Sequence, residues 1–369
     1  MRILVADDSI LFRKVMADVL SSVPDTEVVG QAPNGKLAVQ KVKDLRPDLV
    51  TLDMEMPDMD GLAVLDALKA AGNMPFVIVI SALTKQGGKL TMQALQKGAF
   101  DFITKPNSAS AEQSRALLQA DLIPRVKAVS LRLNVRRILQ NTVPLPSQQL
   151  PEEKSAASAA PINSVSSRMA RLTGIARPEM VLIGVSTGGP NALASLLPAL
   201  PKMGVPIFIV QHMPPVFTQT LAESLSGKCV LAVREAIDGE LAKADTVYIA
   251  PGGRHMRIAS DQNGNKIIQI TEDPPENNCR PAVDYLFRSA AHQFPGRAMG
   301  VILTGMGTDG TLGLKLLKRH SCFVIAQDES TCVVYGMPKS AVEAGLVDEV
   351  LPLESIAGRI MAVVCGGTP

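Results

Sequence analysis

The sequence predicts an α/β protein built twice over: an N-terminal (βα)5 doubly wound domain, then a C-terminal doubly wound α/β domain with a mostly parallel sheet. Three observations carry this. Apolar, strand-like runs alternate with amphipathic stretches as far as residue 125, and the alternation restarts from residue 180. Residues able to do chemistry fall at the carboxyl ends of these runs. Between the two series lies a stretch rich in Pro, Ser and Ala with no apolar period.

The first series reads in order. "RILVAD" precedes the helix-like "SILFRKVMADVLSSV"; "EVVGQA" precedes "GKLAVQKVKDL"; "LVTLDM" precedes "GLAVLDALKAA"; "FVIVISA" precedes "KLTMQALQKGA"; "DFITK" closes it. Five strand–helix units in this length imply a parallel sheet with helices on both faces. Asp7 and Asp8 end the first run, Asp53 the third, Ser81 the fourth and Lys105 the fifth. Carboxyl ends of parallel strands open onto one edge, where doubly wound folds bind ligands. Three carboxylates there repel one another unless a cation joins them, and oxygen ligands with room for water suit Mg²⁺. A lysine and a hydroxyl beside them suit a phosphoryl group on one carboxylate. Each residue alone is an ordinary strand-end cap; the register of all five is what points to a site.

The middle segment concentrates positive charge. Residues 1–124 carry net −2, residues 125–175 net +6 and residues 176–369 net −2. With "NTVPLPSQQLPEEKSAASAAPINSVSS" at residues 141–167, it reads as a basic helical extension and a solvated tether. A nucleic-acid or membrane patch is the alternative. The expected domains are residues 1–125, a linker at 126–175, and residues 176–369.

In the second series "MVLIGVSTGGPNALASLLPAL", "VPIFIVQHMPPVFTQTLAESL" and "MGVILTGMGTDGTLGLKLLKRH" are each a strand, a turn and a helix. They place Ser186, His212 and Asp309 beyond strand ends: a nucleophile, a base and an acid that one sheet edge can gather into a triad. "GVSTG" fits the G-x-S-x-G turn that exposes a serine and offers the next backbone N–H, that of Thr187, to an oxyanion. That motif is weak alone, because small residues are common in tight turns. Of the four histidines, His292 lies within an expected helix and His320 at a helix end; His255 after "APGGR" is the competitor of His212. The loop "GMGTDG" also matches G-x-G-x-x-G, with Asp328–Glu329 downstream as a ribose ligand, so a dinucleotide site is the rival reading. Asp309 within the turn argues against it, since its charge would face the pyrophosphate.

Composition narrows the function. Apolar residues make up 46% of 369 residues, enough for proper cores. Aromatics are 3% and Trp is absent, against stacking platforms for single-stranded nucleic acid. The longest apolar runs are too short to span a bilayer. "MRILVADDS" lacks a signal-peptide pattern, and five scattered cysteines form no C-x-x-C pair. The expectation is a cytoplasmic protein in a reducing compartment, not membrane-inserted and without zinc.

The first domain resembles a response-regulator receiver, on "DD" at 7–8, "LDMEMPDMDG" at 52–61, "SA" at 81–82 and "TKP" at 104–106. The resemblance implies phosphorylation of Asp53 by a histidine kinase, and Mg²⁺ held by Asp7, Asp8, Asp53 and the carbonyl of Glu55. It implies Ser81 and Phe102 as the switch pair and Lys105 on the phosphoryl group. The second domain resembles the chemotaxis receptor methylesterase, also a protein-glutamine glutaminase, on "GVSTGGP", "YIAPGGRHM", "CRPAVDYLF" and "LTGMGTDG". That implies the triad Ser186, His212 and Asp309, oxyanion donors at Thr187 and the backbone of Met306, no cofactor in this domain, and methyl-accepting chemotaxis receptors as substrates. The rival readings are a DNA-binding response regulator, opposed by the acidic output domain, and a catalytically silent scaffold, opposed by the intact triad.

Overall fold

Two parallel sheets organise the chain in the computed structural model, which describes residues 1–72, 74–106, 110–141 and 177–366. The first contains β1 (Arg2–Ala6), β2 (Glu27–Ala32), β3 (Leu49–Asp53), β4 (Phe76–Ser81) and β5 (Asp101–Thr104), in the order β2-β1-β3-β4-β5. All its pairings are parallel. Four helices connect them: α1 (Ile10–Ser21), α2 (Gly35–Leu45), α3 (Gly61–Ala70) and α4 (Lys85–Gln96). Each begins at a side-chain cap, Ser9, Asn34, Asp60 or Thr84, whose oxygen accepts the N–H three residues on. The next helix, α5 (Ala111–Asn141), runs unbroken past residue 125, with Pro124 inside it. Leu118, Leu122, Val126 and Val129 bury its inner face against the first domain's core. The tether expected after it lies outside the described residues.

The second sheet has seven strands: β6 (Met180–Val185), β7 (Ile207–Gln211), β8 (Ala232–Glu235), β9 (Thr246–Ile249), β12 (Ala298–Ile302), β13 (Phe323–Gln327) and β14 (Glu349–Leu351). Their order is β14-β13-β12-β6-β7-β9-β8, again parallel throughout. The central strand β6 is buried at every residue, as a sheet covered on both faces requires. The helices are α6 (Gly189–Leu196), α7 (Phe217–Ser226), α8 (Val283–Gln293), α9 (Thr311–Arg319), α10 (Met337–Glu343) and α11 (Leu353–Cys365). An antiparallel hairpin, β10 (His255–Ser260) with β11 (Lys266–Thr271), stands apart from the sheet and carries the chain toward α8. The three expected strand–turn–helix units are present as β6–α6, β7–α7 and β12–α9. The hairpin and the outer strands are not among the expected units; β8, β11 and β14 are only partly buried and carry polar or charged residues within their runs.

The two units touch. The ring of Phe102, at the end of the first sheet, stacks on Phe217 of α7, with centroids 4.7 Å apart and planes at 23°. Gln96 of α4 donates to Ser224 of α7 at 2.9 Å, and Arg132 of α5 donates to the Cys332 carbonyl. Met306, Val333 and Val334 of the second unit pack against the apolar cluster of the first.

Candidate active site

Both sheets place chemistry where the strand order reverses, because loops leaving there in opposite directions open a crevice. In the first sheet that point lies between β1 and β3. Asp7 follows β1 and Asp53 ends β3, both nearly fully buried, while Asp8 is exposed. Carboxylate oxygens of all three lie within 4.8 Å of one another. Lys105 reaches in from the end of β5, its Nζ 2.6 Å from Asp53 and 3.0 Å from Asp7, above the Phe12 ring. Asp7 Oδ2, though in charge contact with Lys105, is buried and accepts no hydrogen bond. This oxygen therefore has the Lys105 ammonium as its neighbour at 3.0 Å and no neutral donor, an arrangement in which a cation among the three carboxylates would suit it. Burial raises the Asp53 carboxyl to about 6, with Asp7 adding to it against the pull of Lys105. Burial opposes the Lys105 charge too, but the two aspartates outweigh it and its pKa is raised. The Glu55 N–H donates to Asp53 Oδ1 at 3.3 Å. Ser81 is buried and its hydroxyl donates to the Gly87 carbonyl at 3.1 Å. Phe102, the other switch candidate, points out of this site onto Phe217.

In the second sheet the reversal falls at β6, flanked by β7 and β12. Val185 pairs with Gln211 in register, so Ser186 and His212 are the next residues out on neighbouring strands. The buried Gln211 amide donates to the carbonyls of both, at 2.9 and 3.2 Å, and so clamps the two loops together. Ser186 is half-buried. Its N–H donates to the Thr304 carbonyl, and its side chain lies against Gly305, where an added Cβ would come within 2.8 Å of the Ser186 Cβ. The glycine at 305 is therefore a close-approach residue rather than a phosphate cradle. Gly188, at φ +78°, completes the turn after the serine, and Val333 fills the space a side chain there would need. Helices α6 and α9 start at left-handed glycines, with no side-chain cap at their N-termini. The N–H groups of Thr187 and Met306 have no protein acceptor among the described residues. Val216, a β-branched residue at φ +74°, begins α7 just after the His212 loop, a strained backbone of the kind that clusters at functional sites.

Asp309 is buried and fully engaged. It accepts from His212 Nε2 at 2.7 Å, from the N–H groups of Val283, Asp284 and Gly310, and from Asn277 Nδ2 at 3.0 Å. Burial works against its charge, but His212 and these N–H groups outweigh it and hold the carboxyl below its usual range. The carboxylate fixes the proton of neutral His212 on Nε2 and leaves the lone pair on Nδ1. Nδ1 faces Cys279 Sγ at 3.7 Å. The Ser186 hydroxyl makes no hydrogen bond among the described residues. Burial opposes charge on His212, yet the bonds to Asp309 and Cys279 and their charges outweigh it, and the ring is raised to about 9. His255, the competing base, is fully buried between the Pro274 carbonyl and the Ala282 N–H and stacks on Tyr285, which leaves neither nitrogen free. His292 and His320 are exposed at the far ends of α8 and α9. Asp328 is used by its own turn, through Ser330 and Thr331.

Three residues at this site escaped the sequence reading. Gln211 looked like the last residue of an apolar strand. Asn277 bridges Asp309 and Asp284, and Cys279 touches the histidine. The adjacent asparagines of "ENNC" were the available signal, since asparagine tolerates the left-handed backbone that both adopt, at φ +52° and +58°.

Two known families match successive parts of the chain. The receiver family (response regulator receiver domain) matches residues 3–116, and the CheB methylesterase family matches residues 181–360. A protein-glutamate methylesterase/protein-glutamine glutaminase of Desulfotalea psychrophila is 47% identical over 367 residues, covering 99% of this chain and 98% of that protein. One from a Nocardioides species is 41% identical over 361 residues, covering 98% and 94%. The crystal structure of the Thermotoga maritima CheB methylesterase catalytic domain superposes with a TM-score of 0.50 at 45% identity, over 51% of this chain and all of that one. With a receiver joined to a methylesterase domain and close relatives along nearly its whole length, the chain belongs to the protein-glutamate methylesterase/protein-glutamine glutaminase family.

Proposed function

We propose that this chain removes methyl groups from glutamate γ-methyl esters, and deamidates particular glutamines, on methyl-accepting chemotaxis receptors, under control of phosphorylation at Asp53. The observation that carries the reading is the His212–Asp309 pair set one residue beyond the β6–β7 register that carries Ser186. Ser186 Oγ attacks the γ-carbonyl while His212 Nδ1 takes its proton. The N–H groups of Thr187 and Met306, beside uncapped helix N-termini, receive the oxyanion. His212 returns the proton to departing methanol or ammonia, and water resolves the acyl-enzyme by the same route. Asp309 keeps the ring oriented, with Nδ1 toward the reaction. This reverses the usual assignment of ring nitrogens in Ser-His-Asp enzymes and performs the same task.

Regulation follows from the contact between the units. The loops carrying Met306 and Val333 flank Ser186 and pack under the receiver, so the receiver acts as a lid. Asp7, Asp8 and Asp53, with the Glu55 carbonyl, would hold Mg²⁺, and the orphaned Asp7 oxygen fits that use. When bound, the cation offsets the negative charge that accumulates at Asp53 during phosphoryl transfer. A phosphoryl group on Asp53 draws Lys105 and the Ser81 hydroxyl toward it, Phe102 turns, and its stack on Phe217 is lost. The phosphodonor is the histidine kinase of the chemotaxis system. The protein works in the cytoplasm, with residues 1–125 as receiver, 126–175 as connector and 176–369 as hydrolase. No helix among the described residues is long and apolar enough to cross a membrane.

The test is methanol release from methylated receptor membranes with and without a small phosphodonor and Mg²⁺. Release stimulated by phosphodonor and lost in Ser186→Ala is expected; release that survives Ser186→Ala would remove the serine from its role.

A further inference from the structure

The side of His212 turned away from Asp309 meets a thiol. Nδ1 lies 3.7 Å from Cys279 Sγ, within hydrogen-bonding range for sulfur. The thiol is built into place. Glu276 and Cys279 exchange backbone hydrogen bonds at 2.8 and 3.1 Å, and Asn277 ties the same turn to Asp284 and Asp309 at 3.0 Å. Cys279 is free of disulfides and half-buried. With His212 and Asp309 it forms a nucleophile–base–acid row of its own, on the same base that serves Ser186. The other thiols lack this. Burial pushes Cys332 up to about 12 and raises Cys322 and Cys229. Cys365 is exposed at the end of α11. Among the described residues only Cys279 has an imidazole in reach.

We propose that Cys279 is an oxidation site at which hydroperoxides switch the hydrolase off. Sγ attacks the peroxide, the S–O bond forms as the O–O bond breaks, and the thiol proton passes by way of His212 Nδ1 to the departing oxygen. For hydrogen peroxide the products are Cys279 sulfenic acid and water: the sulfur loses two electrons and the peroxide gains them. The added oxygen occupies the open side of Nδ1, which then no longer receives the Ser186 proton. Two equivalents of a low-molecular-weight thiol restore Sγ, giving water and a disulfide of the reductant. The loss of activity rests on the reading of His212 as the base; the oxidation itself does not, and the two are measured separately.

The full-length protein is treated with hydrogen peroxide in the presence of dimedone, and adducts on each cysteine are followed by peptide mass spectrometry. Cys279 is expected to label at least about tenfold faster than Cys229 or Cys365, and His212→Gln to slow it by at least about tenfold, since a positioned base contributes about 10²–10⁴. Ser186→Ala is expected to leave the labelling as it is. Without dimedone, methanol release falls as peroxide acts and returns with dithiothreitol. In Cys279→Ala the remaining activity is indifferent to peroxide. Cys229 labelling at the wild-type rate shows that His212→Gln has kept its fold, and the Cys279→Ala arm stands if it has not. Labelling of Cys279 no faster than Cys365, or unaffected by His212→Gln, would overturn the site. Equal inactivation of Cys279→Ala, or fast labelling with activity undiminished, would overturn the switch. A His212→Gln enzyme that still hydrolyses ester fails the functional reading instead, whatever the adducts show.

Discussion

Replacing Phe102 by Ala should release the hydrolase without phosphorylation. The ring sits between the two units, 4.7 Å from Phe217, and the two residues are 4% and 0% exposed. If the receiver moves away, this stack is exposed to water. Burying a phenylalanine side chain contributes about 1.5–3 kcal/mol, and a stacked pair adds about 0.5–1.5 kcal/mol. Part of the Phe102 surface is covered by its own domain, so about 2 kcal/mol is assigned to the contact between units. At 1.36 kcal/mol per factor of ten, that shifts the closed-to-released ratio by about thirtyfold. A released fraction near about 1% would rise to about a quarter. The assay is methanol release from receptor membranes in an Asp53→Asn background, where phosphorylation cannot contribute. Phe102→Ala should raise that basal rate about twentyfold, and Phe102→Leu by less, since it keeps apolar contact without the stack. A Phe102→Ala protein that still unfolds in a cooperative transition yet shows the parent's basal rate would refute the idea that this contact holds the lid.

Other outcomes follow from the same geometry. Ser186→Ala, His212→Ala and Asp309→Asn should each cost orders of magnitude in ester hydrolysis, with the Ser186→Ala/His212→Ala double variant little worse than either; independent, multiplying losses would break the triad assignment. Because His212 is raised to about 9, the neutral base accumulates only as pH rises, so kcat/KM should climb toward that value. Cys279→Ala removes two of the raising influences and should move the climb to lower pH; an unmoved profile would mean the thiol does not act on the ring. Stability runs the other way. The protonated His212–Asp309 pair contributes fully below the unfolded histidine value of about 6.5, and this is lost as pH rises through about 9, which pH-dependent melting of His212→Gln against wild type would expose. Asn277→Ala leaves the buried Asp309 and Asp284 facing each other without their shared donor, so it should lower kcat more than KM; an effect on KM alone would make it a substrate contact.

Much of this molecule was legible in its order of residues. Local patterns decide local structure: the five expected strand–helix units recur in order, α4 starts at Lys85 rather than at the expected Lys89 because Thr84 caps it, and the apolar run of β6 is buried throughout. Residues just beyond strand ends necessarily gather at one edge of a parallel sheet, so Asp7, Asp53 and Lys105, and likewise His212 and Asp309, could be named before any coordinates. The outer strands β8 and β14 and the hairpin could not, because runs such as "AVRE", "EVL" and "KIIQIT" carry polar residues and are only partly buried, and so lack the continuous apolar signature of the strands that were legible. Tertiary structure alone decided which loops meet. Cys279 lies 67 residues from His212, and Asn277 lies 32 from Asp309. The receiver resemblance singles out Phe102, but that its ring stacks on Phe217 is decided only when α7 comes to rest against it. Periodicity reports which face of an element is buried but not what buries it; that depends on the order of strands in the sheet and the docking of one unit on the other, which set the Cys279 thiol against His212 and the Phe102 ring against Phe217.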